Sequence, residues 1–339
     1  MLEFFKKRWF LTALFAFIAA GLTLGINLPS LASSTSGNIG PWSKLLTPIV
    51  LFLMSITLDG QRMWAAIRAP GPVLWATTVN FLVIPLLALP LLRIQLHPDY
   101  VAGLMIAASV PCTMAAASVW TRKANGNDAV SMLTTIATNG LCFIVTPIWL
   151  SYGIGKSVEI DTLQMMLKLL KSAFIPIVVG QLGRLITPLR LWADKQKTPL
   201  GVVAQSCILL IVFWAAFQQG AKLASSSMSQ QLLGATLLVG LCVVILHLAG
   251  MAIAYFGGRA LNFRREDVVA LTFAGSQKTL PIGIYVATEL LRDVPFAVYA
   301  MLMYHAMQLV VDTILLDAIK QWRDADHSAE AASPSVSSD

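Results

Sequence analysis

The sequence predicts an all-α integral membrane protein of ten transmembrane helices in a 5+5 inverted repeat. Three observations predict it. Of the 339 residues, 57% are hydrophobic and only 12% charged, with a mean hydropathy of +0.72, whereas a soluble domain carries about a quarter charged residues. Apolar runs of roughly 18 residues or more, long enough to cross a hydrocarbon core, recur along the chain. Two of these runs, each fourth in its half of the chain, share one defect: a proline beside a polar cluster.

The spans fall near 9–28, 45–58, 71–92, 100–120, 129–153, 164–183, 199–221, 232–257, 267–290 and 295–318. The first has the outline of a secretory signal, with Lys6, Lys7 and Arg8 before it and Leu31-Ala32-Ser33-Ser34 after it. Its apolar stretch exceeds the roughly 7–15 residues of a signal core and nine spans follow, so it reads as a retained helix. The second is short. The stretches 100–121, 129–155, 198–221 and 223–258 hold no charge at all. An odd number of crossings in each half forces the second half to enter the membrane upside down. The chain therefore divides into a cytoplasmic N-terminus (1–8), a first five-helix repeat (9–155), a second inverted one (156–320) and a polar, disordered cytoplasmic tail (321–339).

The net charge of +7, from 24 Lys and Arg against 17 Asp and Glu, follows from topology and needs no nucleic acid. With the N-terminus inside, sixteen of those Lys and Arg fall on cytoplasmic loops or termini and five, Lys44, Arg93, Lys156, Lys222 and Arg292, on the opposite loops. That bias places both termini in the cytoplasm of a multi-pass protein of the plasma or inner membrane. Cys112, Cys142, Cys207 and Cys242 lie inside apolar runs and read as buried small hydrophobes rather than a disulfide framework. Neither a metal-ligand spacing nor an HExxH, paired-aspartate or Ser/His/Asp arrangement occurs, so the chain reads as neither a metal protein nor an enzyme. No cofactor is expected. A channel would need rings of acidic residues or a filter sequence, and these are missing.

The interrupted spans carry the functional signal. Pro111, in Val110-Pro111-Cys112-Thr113, cannot donate to the carbonyl of Ala107 and must kink or break its helix. In span 9, Ser276-Gln277-Lys278-Thr279 precede Pro281; four consecutive polar residues would circle a regular helix and turn one of them toward lipid. An unwound segment lining a protein cavity avoids that cost, and paired interruptions of this kind point to a transporter's binding site. Lys278 lies eleven residues after Asp267 and fourteen before Arg292, beyond reach of either surface. A lysine there costs about 2.5–3.5 kcal/mol and marks a site. Asp312, the one nearby acid within a span, is placed near the cytoplasmic end of span 10, so either carbonyls and hydroxyls hold the amine or the amine gives up its proton. Candidates are the stripe Asn127, Ser131, Thr135 and Asn139 at i, i+4, i+8 and i+12, together with Asn80, Thr113, Ser118, Ser276, Gln277, Thr279, Tyr304, His305 and Gln308.

These residues also resemble those of a known family. Met54-Ser55-Ile56-Thr57-Leu58, the run from Pro111 to Asn127, Gly275-Ser276-Gln277-Lys278-Thr279-Leu280 with Gly283, and Tyr304-His305 with Gln308 are similar, in order and spacing, to motifs of the bile acid:sodium symporter superfamily, SBF-like branch. The resemblance implies core and panel domains, helices 4 and 9 crossing at their breaks, and secondary transport by alternating access. It also implies ion ligands beside the crossing, at positions matching Asn80, Ala117, Ser118, Ser131, Thr135, Phe273, Ala274, Ser276 and Gln277. Two departures matter: Phe273 stands where sodium-coupled members have glutamate, and Lys278 where they have asparagine. The expected function is transport of a small organic anion, bile-acid-like or another carboxylate or sulfate, coupled to sodium or protons. The alternative is a non-transporting regulator or scaffold with the same fold. Expected partners are the lipid bilayer and that anion.

Overall fold

A computed structural model describes residues 9–58, 70–114, 116–155, 158–225, 230–291 and 293–332. Among the described residues every regular element is helical: α1 (Trp9–Asn27), α2 (Pro29–Ile56), α3 (Pro70–Leu92), α4 (Pro98–Ser109), α5 (Ala116–Lys123), α6 (Asp128–Ile154), α7 (Thr162–Gly183), α8 (Thr187–Lys195), α9 (Lys197–Ser225), α10 (Gln230–Ala260), α11 (Arg265–Ser276), α12 (280–290) and α13 (Ala297–Ala332). Of these, α1, α3, α6, α7, α9, α10 and α13 are the seven long and apolar enough to cross a bilayer. The second expected span is the apolar end, Leu45–Ile56, of the longer α2. The fourth and ninth are each split in two, as their prolines require, into α4 with α5 and α11 with α12.

Local chemistry sets the boundaries. His97 caps α4 by accepting the Asp99 N–H at 3.2 Å, with Pro98 in the first turn. Asn127 caps α6 through the Ala129 N–H at 3.1 Å, and Asp161 caps α7 through the Gln164 N–H at 2.9 Å; such side-chain oxygens satisfy donors that a helix start leaves open. The segment 321–339, expected to be a disordered tail, is helical as far as Ala332 because α13 continues without interruption. Residues 333–339 and the 1–8 segment lie outside the described residues.

The helices pack in two groups. In one, α9 lies along α1 and α2, and α7 packs on α2. The α1–α9 crossing is close because Gly21 faces the Phe213 carbonyl, 2.7 Å from where a Cβ would sit; small residues let backbones approach where lipid supplies no hydrophobic drive. The Met54–Leu58 motif seams α2 to α7: Ser55 Oγ donates to the Ile177 carbonyl at 2.7 Å, and Arg184 donates to the Ile56 carbonyl at 2.7 Å and pairs with Asp194. The other group holds α3 to α6 and α10 to α13, with α11 packed between α3, α6 and α10.

Two helices widen to a π turn at the same dipeptide. Val79–Val83 precedes Ile84-Pro85, and Leu170–Phe174 precedes Ile175-Pro176. In α3 the Ile84 N–H bonds the Val79 carbonyl, and Pro85 has no N–H to give. The carbonyls of Asn80 and Phe81 thus lose their helical donors and must find others.

Candidate functional site

The two interrupted spans cross at their breaks, where the Thr279 N–H donates to the Pro111 carbonyl at 2.8 Å. Every break interrupts a hydrogen-bond ladder, and buried backbone groups must be satisfied. At the first break the Ser109 carbonyl takes the Thr146 hydroxyl at 2.8 Å, the Cys112 N–H donates to Thr138 Oγ1 at 3.3 Å, and Asn139 Nδ2 donates to the Cys112 carbonyl at 2.8 Å. At the second, Tyr304 donates to the Ser276 carbonyl at 2.9 Å, and Asn80 Nδ2 donates to the Gln277 carbonyl at 3.0 Å. Gln308 serves both sides of Lys278, accepting its N–H at 2.8 Å and donating to its carbonyl at 3.0 Å. The first break is served from α6 and the second from α13, the helix following the interrupted span in each case, with Asn80 of α3 joining at the second.

Lys278 joins the breaks. Its side chain is fully buried, and its Nζ donates to the Asn80 carbonyl at 2.6 Å, Asn80 Oδ1 at 3.2 Å and the Val110 carbonyl at 3.0 Å. Three acceptors and no donor face it, the surroundings of an ammonium with three N–H groups. The Asn80 carbonyl is one of the two released by the π turn in α3; the other, of Phe81, takes the Trp149 indole N–H at 2.7 Å. The expectation that carbonyls hold the amine is met, though by backbone and one amide rather than by the hydroxyls of α6.

Asp312 is not near a helix end, where the sequence reading placed it. It is fully buried, with Oδ2 accepting Gln277 Nε2 at 2.5 Å and Oδ1 lying 3.1 Å from His247 Nε2. The carboxylate thus reaches Lys278 only through Gln277 and Asn80. His247, Trp149, Thr138 and Thr146 were not singled out from the sequence. A lone imidazole in the long charge-free run of α10 was the signal for His247; the others look like ordinary span residues until the breaks that they serve are positioned.

The remaining candidates divide. Thr135 donates to Cys112 Sγ at 3.6 Å, so Cys112 belongs to the crossing and is more than a small hydrophobe. Ser131 Oγ and Asn139 Oδ1 are buried without a hydrogen-bond partner. Ser118 is buried on α5 and takes part in none of the bonds above, and Asn127 is a cap that donates to Asp267 at 2.7 Å. Thr113, Thr279 and His305 line a cavity of about 290 Å³ between the two helix groups, walled by Trp9, Phe10 and Leu11 of α1, Met54 of α2, Trp120 and Lys123 of α5, and Gln205 and Ile208 of α9. The Gln308 amide, oriented by the Lys278 N–H, donates to His305 Nδ1 at 2.8 Å. A neutral His305 therefore carries its proton on Nε2, which has no partner. Among the described residues no group of three or more His, Cys, Asp or Glu is placed to hold a metal ion.

A family model, the SBF-like CPA transporter family, matches residues 8–321. The chain belongs to that family. Its relatives include the sodium/bile acid cotransporter 7 of Danio rerio, 23% identical over 332 residues and covering 94% of this chain and 95% of the relative. A probable chloroplastic sodium/metabolite cotransporter of Arabidopsis thaliana is 24% identical over 334 residues, 93% of this chain and 75% of the relative. An uncharacterised Pseudomonas aeruginosa protein is 28% identical over 296 residues, 85% of this chain and 86% of the relative. Membership makes the chain a multi-pass membrane protein of a transporter family and bears out the resemblance read from its motifs.

Proposed function

We propose that the chain is a secondary transporter that carries a small organic anion by alternating access, with the Lys278 ammonium standing where sodium-coupled relatives hold an ion. The observation that carries this reading is the cavity between the two helix groups, floored by residues of both breaks. The polarity of the broken helices fits it. The C-terminal ends of α4 and α11, which are negative, meet beside Lys278, whereas Ala116, Thr279 and Pro281 at the starts of α5 and α12 border the cavity. Positive helix starts favour an anion there.

In this reading the chain crosses the membrane ten times as two inverted fives, with both termini cytoplasmic. Service of each break by the next helix, α6 in one half and α13 in the other, supports it. The group of α1, α2, α7 and α9 is the panel and the rest is the core, which moves against it. Coupling is then to protons or absent. A second reading, sodium coupling as in the names of the relatives, is favoured by the unpartnered oxygens of Ser131 and Asn139 beside the first break.

Proteoliposomes test the proposal with a panel of radiolabelled carboxylates and sulfonates, a bile acid among them. Saturable uptake that is unchanged when external sodium is replaced by N-methylglucamine is expected. Sodium-driven uptake that survives Lys278→Ala would establish the second reading. No uptake of any anion would leave a regulator or scaffold with a transporter's fold.

A further inference from the structure

One short helix exposes apolar side chains without being able to cross the bilayer. Helix α8 has nine residues, a rise of roughly 13.5 Å, under half of the roughly 30 Å apolar thickness of a bilayer. It also carries Arg190, Asp194 and Lys195. A helix so short and so charged has no place among acyl chains, yet Leu185 and Ile186 before it and Leu191 and Trp192 within it are 77%, 59%, 54% and 49% exposed. Ala193 is buried and marks the inward face. Lys195 follows Leu191 by four residues and Trp192 by three, so all three share the outward face. Apolar side chains interleaved with cations, a tryptophan among them, are the composition of a helix that lies in the headgroup layer. The charge there is one-sided. Asp194 is the only acid between Asp161 and Glu266, and the buried Arg184 pairs with it at 2.8 Å. With that acid neutralised, α8 presents the half-buried Arg190 and the exposed Lys195. Arg184 also donates to the Ile56 carbonyl, two residues from Met54 at the cavity wall, and so fixes α8 to the group of α1, α2, α7 and α9.

We infer that α8 is a docking surface for acidic phospholipid: Leu185, Ile186, Leu191 and Trp192 lie against the upper acyl chain, while Arg190 and Lys195 take a headgroup of net negative charge. A soluble anion would satisfy the two cations but leave the four apolar side chains in water. In the orientation proposed above the surface faces the cytoplasmic leaflet, whose acidic lipids attract basic segments. It lies outside the cavity and does not depend on what the chain carries.

The test follows the fluorescence of Trp192 in the full chain, held in phosphatidylcholine nanodiscs with a minor share of lipid brominated on the acyl chain near the headgroup. The brominated lipid is either phosphatidylglycerol or phosphatidylcholine, and the Trp192 signal is the difference between the wild type and Trp192→Phe. Brominated phosphatidylglycerol is expected to quench that signal about threefold more than brominated phosphatidylcholine, an excess that shrinks as sodium chloride screens the charges. Arg190→Gln with Lys195→Gln should bring the two lipids level, whereas Arg190→Lys with Lys195→Arg should keep the excess. Arg264→Gln, which removes a cation 78% exposed between α10 and α11, should leave it unchanged. Equal quenching by the two lipids in the wild type would overturn the inference, as would an excess that survives the double glutamine variant, or no quenching by either lipid. An excess abolished by inorganic phosphate, beyond the effect of chloride at matched ionic strength, would assign the cations to a soluble anion and overturn it as well.

Discussion

Lys278 brings its long aliphatic stem and three N–H donors to a place where the backbone has run out of its own. Removing the amine leaves the carbonyls of Asn80 and Val110 without it, and a buried group stripped of its partner costs about 1–3 kcal/mol. Lys278→Met should therefore lose about 2–4 kcal/mol, read as a lower melting temperature in detergent, while Lys171→Met, at an exposed position on α7, should leave that temperature within a degree or two. At this scale the sequence was informative where a residue was chemically out of place: a mid-span lysine three residues before a proline marked a site. Asp312 was misplaced because its depth was judged from distance along the chain, and the hydrogen bonds that bury it come from Gln277 and His247, 35 and 65 residues away.

The elements show why proline and polar residues travel together here. Pro85 withholds an N–H from α3, the π turn displaces the remaining donor, and Lys278 and Trp149 take the two freed carbonyls. Trp149→Phe should cost about 1–3 kcal/mol, because it leaves the Phe81 carbonyl unsatisfied. Adding Pro85→Ala returns an N–H to the position four residues beyond Phe81, so the double variant should melt above Trp149→Phe alone, a non-additivity expected of residues that share one acceptor. Equal melting of the two would show that the carbonyl does not need a donor. The breaks themselves were legible, since Pro111 and Pro281 lie beside polar clusters that no lipid-facing helix tolerates. The π turns were not read, although two of the three among the described residues precede the same dipeptide, Ile84-Pro85 and Ile175-Pro176.

For the whole molecule, hydropathy located the apolar stretches but could not say which helices pair. In lipid, contact faces and lipid faces are equally apolar, and the association of α1 with α9 is decided by Gly21 and its neighbours rather than by any apolar stripe. The cavity exists because the two groups meet incompletely, and that is a property of packing no single span carries. What the assembled molecule adds to the motifs is the setting of Lys278, whose Nζ lies in a nest of three oxygens; in the proposed reading it fills a cation position. A ligand that binds only the folded state raises its melting temperature, and the rise grows with the logarithm of ligand concentration once that exceeds Kd. The melting temperature of the purified wild type, measured in sodium chloride and in N-methylglucamine chloride of equal ionic strength, tests the ammonium's role most directly: the two values should agree within about a degree, and a rise specific to sodium that grows with its concentration would contradict the account.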